Sequence, residues 1–216
     1  MIKLVIFDVD GLMLDTERPY LEAVKITCQK YGYDIPDELN NAAIGANSKA
    51  TREMICAYMG PDFDYDVFYK HLMEETELYF NTHPIQKKKG LDELLVYLKD
   101  RGITMAVATS TNSLKNKENL TNAGIYDYFD YMVTGEMVSH SKPDPDIYLK
   151  VLEHYDYDHS EVCVFEDSKN GLLSAVAAGL KVILVPDLAP LSKEDLQKAY
   201  RVLDDLSQGI KVLKEM

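Results

Sequence analysis

The chain has 216 residues, 46% of them hydrophobic and 27% charged, which excludes a largely disordered protein and allows one good-sized domain carrying a smaller insertion. A formal net charge of −13 excludes broad binding to a nucleic-acid backbone, since that needs many Lys and Arg at once. An acidic protein that handles an anion must instead gather positive charge locally, through a metal, a few placed cations or helix N-termini.

The first apolar run, Lys3 to Asp8, is too short and too early for a signal peptide. No stretch approaches the length of a membrane span, so the expected setting is the cytoplasm, with no membrane partner. From Asp15 to about Pro84 no strand pattern occurs, and apolar residues fall at helical spacing: Leu21, Val24, Cys28 and Tyr31, then Phe68, Leu72 and Tyr79. This reads as a helical insertion, with Gly60-Pro61-Asp62 separating two of its helices. His83-Pro84 and the run Lys87-Lys88-Lys89-Gly90 mark the way out of it. Three adjacent lysines cannot all face one ligand, so that run reads as a solvated hinge or domain edge with no assigned function.

Beyond residue 90 the pattern alternates. β-Branched runs at Ile103 to Thr109, Tyr131 to Thr134, Val162 to Asp167 and Lys181 to Pro186 predict parallel strands buried on both faces. Helical segments lie between them: Leu91 to Arg101, Leu114 to Ala123, Asp146 to Tyr155 and Leu172 to Ala178, three of them followed by a Gly stop. With Lys3 to Asp8 as a further strand, the prediction is an α/β parallel sheet. The cysteines, Cys28, Cys56 and Cys163, are far apart, which fits small buried side chains rather than a disulfide framework or a zinc site. The tyrosines from Tyr126 to Tyr131 and from Tyr148 to Tyr157 read as core or edge packing.

Ligands bind such sheets at the carboxyl ends of the strands. There the sequence places Asp8 with Asp10, Thr109 with Ser110, Glu166 with Asp167, and a loop bearing Ser141-Lys142-Pro143. Crowded carboxylates resist shared ionisation unless a cation joins them, and hard oxygen ligands suit Mg²⁺. An ionised Asp8 can attack phosphorus, and Asp10 can give a proton to the leaving oxygen. Thr109 can hydrogen-bond a phosphoryl oxygen, and Lys142 can offset its charge. Singly each feature has a plainer reading: a turn or helix cap for the aspartates and Thr109-Ser110, a solvated loop for Lys142.

Four ordered motifs, Asp8-Val9-Asp10-Gly11 with Asp15-Thr16, Val107-Ala108-Thr109-Ser110, Ser141-Lys142-Pro143, and Glu166-Asp167-Ser168 with Asn170-Gly171, resemble the haloacid dehalogenase-like superfamily over nearly the whole chain. Within it, the likeness is to capped phosphatases and sugar-phosphate mutases. The resemblance implies a Rossmann-like core from residues 1–13 and 89–216, a helical cap over 14–88, and a small phosphorylated metabolite as partner. It also implies Mg²⁺ held by Asp8, the Asp10 carbonyl and Asp167, with Glu166 as an outer or alternate ligand. A phosphatase is the leading expectation, and a β-phosphoglucomutase-like enzyme the alternative. Where the mutases carry a cap His this chain has Tyr20, and near their cap Arg it has Ser48-Lys49, with Arg52 a turn further on. Ser110, Tyr20, Lys49 and Arg52 are therefore the candidate substrate contacts. A receiver-type phospho-acceptor or a silent metabolite-binding relative is the expectation from another class; receivers place the acceptor after a central strand and lack the insertion.

Overall fold

The computed structural model describes residues 1–44 and 48–216. It divides into two compact units, one of Met1–Leu14 with Lys87–Met216 and one of Asp15–Gln86.

The first unit is built on a six-stranded sheet. Its strands are β1 (Leu4–Phe7), β4 (Thr104–Thr109), β5 (Tyr131–Thr134), β6 (Val162–Glu166), β7 (Lys181–Leu184) and β8 (Arg201–Val202), in the order β5-β4-β1-β6-β7-β8 with every pairing parallel. Strands β2 (Leu14–Asp15) and β3 (Gln86–Lys87) form a separate two-stranded sheet where the chain passes between units. β1 pairs on both edges, with Leu4 opposite Thr104 on one side and Val162 on the other.

Both faces of the sheet are covered, which is why the strands are apolar almost without alternation. On one face Leu4, Ile6, Val162 and Val164 pack with Ile147, Tyr148 and Val151 of α7 (Asp146–Leu152) and with Leu172 and Ala175 of α8 (Lys169–Ala177). Period-two alternation turns Phe7 and Phe165 to the other face, where their rings stack 5.3 Å apart. Helix α5 (Leu91–Asp100) buries Leu91, Leu94, Leu95 and Leu98, a single helical stripe. The unit also holds α6 (Ser113–Asn122), α9 (Lys193–Leu196) and α10 (Gly209–Glu215). This is an α/β, Rossmann-like architecture.

The sequence reading missed β8 and α9. β8 is two exposed residues without an apolar pattern, and α9 is one turn, fixed by a capping box between Ser192 and Asp195. The helix expected to run to Tyr155 stops at Leu152.

The second unit is helical: α1 (Glu17–Tyr31), α2 (Asp37–Ala43), α3 (Ser48–Met59) and α4 (Tyr65–Thr82). Helix α1 ends at Gly32, whose φ of 75° is the left-handed stop that glycine adopts without a Cβ penalty. Helix α4 begins at Asp64, whose carboxylate accepts the Asp66 and Val67 amides at 3.0 and 3.1 Å. Ala23, Val24, Ile35, Ile55, Phe68 and Leu72 make its core.

Candidate active site

Asp8 follows the last residue of β1 and is held in register by its amide, which donates to the Phe165 carbonyl at 3.1 Å. Its carboxylate is buried against Lys142, whose Nζ lies 2.6 Å from Asp8 Oδ1, 2.6 Å from Glu166 Oε1 and 3.0 Å from the Ala108 carbonyl. Three acceptors thus meet the three ammonium protons. Burial alone would lower the Lys142 pKa, but Asp8 and Glu166 overrule it and hold the group well above its ordinary value.

Glu166, the end residue of β6, is fully buried and engaged at both oxygens. Oε1 accepts from Lys142 and from the Tyr148 hydroxyl at 2.6 Å; Oε2 accepts from the Asp167 amide at 3.0 Å, the Ser168 amide at 3.3 Å and the Ser168 hydroxyl at 3.2 Å. The α8 backbone runs so close that a Cβ at Gly171 would fall 1.8 Å from Glu166 Oε1. Only glycine fits there.

Asp8, Glu166 and Asp167 each offer a carboxylate oxygen within 4.8 Å of the others, all from buried side chains. Burial pushes the Asp8 carboxyl up to about 8; Lys142 pulls it down, while Glu166 and Asp10 push it further up. A cation beside Asp8 and Asp167 would relieve that crowding, so the donor set suits a hard metal ion. Gly11, at φ 83°, turns the chain past this cluster, where a Cβ would fall 2.3 Å from Asp167 Oδ2 and 3.5 Å from Asp187 Oδ2. Asp187, on the loop after β7, pairs with Lys88 at 2.7 Å.

Asp10 stands beside the end of β4. Its Oδ2 accepts from the Thr111 hydroxyl at 2.7 Å and from the Thr109 hydroxyl at 3.4 Å. The structure therefore gathers Asp8, Asp10, Thr109, Lys142, Glu166 and Asp167 at one end of the sheet. Ser110 is exposed, and its carbonyl packs against Gly135; it has no place in the hydrogen-bonded group. In the helical unit, Arg52 grips Asp66 through two bonds of 2.7 and 3.2 Å and lies over the Tyr65 ring. Lys49 is 86% exposed, with Glu53 at 4.0 Å. Burial raises the Tyr20 hydroxyl, with Tyr69 and Tyr65 adding to the effect.

Sequence reasoning missed Thr111, Tyr148, Asp187 and Lys88. Thr111 had a signal: it is a second hydroxyl just beyond Thr109, in the bend that leaves the functional end of β4. Tyr148 had a weaker one, since a buried tyrosine needs a partner for its hydroxyl. The lysine run, at the boundary between the two units, makes three separate pairs, Lys87 with Asp92, Lys88 with Asp187 and Lys89 with Asp205.

A family model for haloacid dehalogenase-like hydrolases matches residues 5–185, from β1 through β7. The chain belongs to that family. Among haloacid dehalogenase-like hydrolases, a phosphorylated carbohydrates phosphatase of Thermotoga maritima is 35% identical over 179 residues, 83% of this chain and 82% of that one. A solved Thermotoga maritima structure carrying a provisional β-phosphoglucomutase name is 32% identical, covers both chains fully and superposes with a TM-score of 0.83. The CbbY structure from Rhodobacter sphaeroides, in complex with phosphate, is 26% identical over 96% of each chain, with a TM-score of 0.79. The chain is thus an enzyme of phosphoric-ester chemistry, a hydrolase or a mutase. Among the described residues no helix is long and apolar enough to cross a membrane.

Proposed function

We propose that the protein is a Mg²⁺-dependent phosphatase of a small phosphorylated metabolite, a sugar phosphate, working through an aspartyl phosphate on Asp8. The observation that carries this reading is the Asp8 carboxylate clamped by Lys142 at the end of β1, with Asp10 and two threonine hydroxyls beside it. The carbohydrate-phosphate activity in the name of the Thermotoga maritima relative supports the substrate class.

Asp8 Oδ attacks phosphorus as the bond to the leaving oxygen breaks, and that oxygen takes the Asp10 proton to leave as an alcohol. Water then attacks the aspartyl phosphate, giving its proton to Asp10 and releasing phosphate and free Asp8. Lys142 keeps Asp8 in place and offsets charge on the transferring group, while the Thr109 hydroxyl holds a phosphoryl oxygen. The carboxylates of Asp8 and Asp167 and the Asp10 carbonyl are the proposed Mg²⁺ ligands, with Glu166 behind them as the outer one. When bound, the ion supplies positive charge against the phosphoryl oxygens. Ser110, Tyr20, Lys49 and Arg52 are the proposed contacts to the rest of the substrate.

The mutase reading is supported by the structural likeness to the Thermotoga maritima protein with the mutase name. The phosphatase name of the 35% identical Thermotoga maritima relative favours hydrolysis. Purified protein with Mg²⁺ and a panel of sugar phosphates decides between them: released phosphate is expected, and isomerised sugar phosphate without release would install the mutase. Asp8→Asn is expected to abolish either outcome, and substantial turnover by it would remove the nucleophile assignment.

A further inference from the structure

Resting on the phosphatase reading above, we propose that Thr111 is a positioning residue that holds the Asp10 carboxyl in the orientation from which it serves the leaving oxygen. Thr111 Oγ1 donates to Asp10 Oδ2 at 2.7 Å, and Thr109 Oγ1 donates to the same oxygen at the longer distance of 3.4 Å. The Thr111 amide in turn donates to Thr109 Oγ1 at 3.1 Å. That bond occupies a lone pair on Thr109 Oγ1 and leaves its proton to point at Asp10. The two hydroxyls form one unit fixed by the backbone as it leaves β4, and both aim at Oδ2.

The Thr111 bond fixes the plane of the Asp10 carboxyl beside the end of β4. In the transfer step the Asp10 proton moves to the leaving oxygen as the phosphorus bond to that oxygen breaks and the bond to Asp8 forms. Asp10 is left as a carboxylate whose Oδ2 is still bonded to Thr111. Attack of water on the aspartyl phosphate returns a proton to Asp10, so that ester and water become alcohol and phosphate. Thr109 has a single hydroxyl proton, so once it holds a phosphoryl oxygen Thr111 alone holds Asp10, and the shorter bond assigns that orientation to Thr111.

Phenyl phosphate and 2,4-dinitrophenyl phosphate share a ring and differ in how much the leaving oxygen needs a proton. With Mg²⁺ present, kcat/KM for each reports phosphoryl transfer to Asp8. Thr111→Val keeps the side-chain shape and the amide bond to Thr109. It is expected to lower kcat/KM for phenyl phosphate by about tenfold or more, part of the about 10² to 10⁴-fold that a placed acid supplies. The dinitrophenyl ester should be nearly unaffected, and its turnover also reports a folded site. Thr111→Ala should match Thr111→Val, and Thr111→Ser, which restores the hydroxyl, should recover phenyl phosphate turnover. Equal slowing of both esters in Val and Ala, no slowing of either, or no recovery in Ser overturns the inference while leaving the phosphatase reading intact. Wild-type protein that cleaves neither ester, or the dinitrophenyl one alone, overturns the acid assignment and this inference with it.

Discussion

Each unit of the molecule buries a carboxylate against a lysine, and the two arrangements differ in kind. In the helical unit Glu75 meets Lys30 at 2.5 Å and Tyr31 at 3.2 Å. Its side chain is 8% exposed and that of Lys30 is 52% exposed, so one charge is covered while the other stays in water. In the sheet unit Lys142 is itself buried, and it serves two carboxylates, Asp8 and Glu166, with Asp167 alongside. The first arrangement balances. The second sets three buried carboxylates around one ammonium, an imbalance that a bound cation would offset. Buried charge in a fold therefore has to be examined for balance as well as for pairing.

The largest expected effect breaks that imbalance further. Lys142→Met leaves two buried carboxylates without their ammonium and is expected to cost about 3–5 kcal/mol of stability, read as a lower urea midpoint. Mg²⁺ at about 100 times its dissociation constant should raise wild-type stability by about 2.7 kcal/mol. An unchanged midpoint on adding Mg²⁺ would remove the metal from the reading.

A smaller effect is expected at the balanced pair. Glu75→Gln should cost about 1 kcal/mol and leave phosphate release unchanged. The Lys30 hydrogen bond holds the Glu75 carboxyl below its ordinary value, with the Lys30 charge and the Tyr31 hydroxyl helping against desolvation. A depressed carboxyl stabilises fully above its unfolded pKa and loses that contribution as pH falls through the folded one. The gap between wild type and Glu75→Gln should therefore narrow as pH drops below about 4. A gap that widens in acid would contradict the ion pair.

The smallest effect is chemical rather than energetic. Cys28 and Cys56 lie in the helical unit at intermediate exposure, and Cys163 is buried in β6. Burial pushes the Cys163 thiol up to about 12. Native protein treated with a thiol reagent should be labelled only in the helical unit, as peptide mapping would read, with Cys163 reacting after unfolding.

Strands β1, β4 and β6 were legible because each is an apolar run that ends in a polar residue at the functional edge, as Phe7 gives way to Asp8 and Phe165 to Glu166. Motif spacing then made Asp8, Asp10, Thr109, Lys142 and Asp167 readable as a group before any geometry. What escaped was contact between residues with no local mark. Thr111 looks like a helix-capping residue, Tyr148 like one of many tyrosines and Asp187 like a loop acid, yet each finds its partner across the fold. The role of Glu166 was also only half visible: an acid at a strand end announces a site, but nothing in the sequence says that five donors already surround it.

The double pairing of β1 sets an order of assembly. Leu4 needs Thr104 on one side and Val162 on the other, so β1 waits for β4 before one edge is satisfied and for β6 before the other. The helical unit is a continuous stretch with its own core and closes on contacts nearer in sequence, which form faster. During synthesis, then, the segment with the nucleophile is made before the helical unit and locked after it, and Asp8 acquires its lysine only after the loop beyond β5 has emerged.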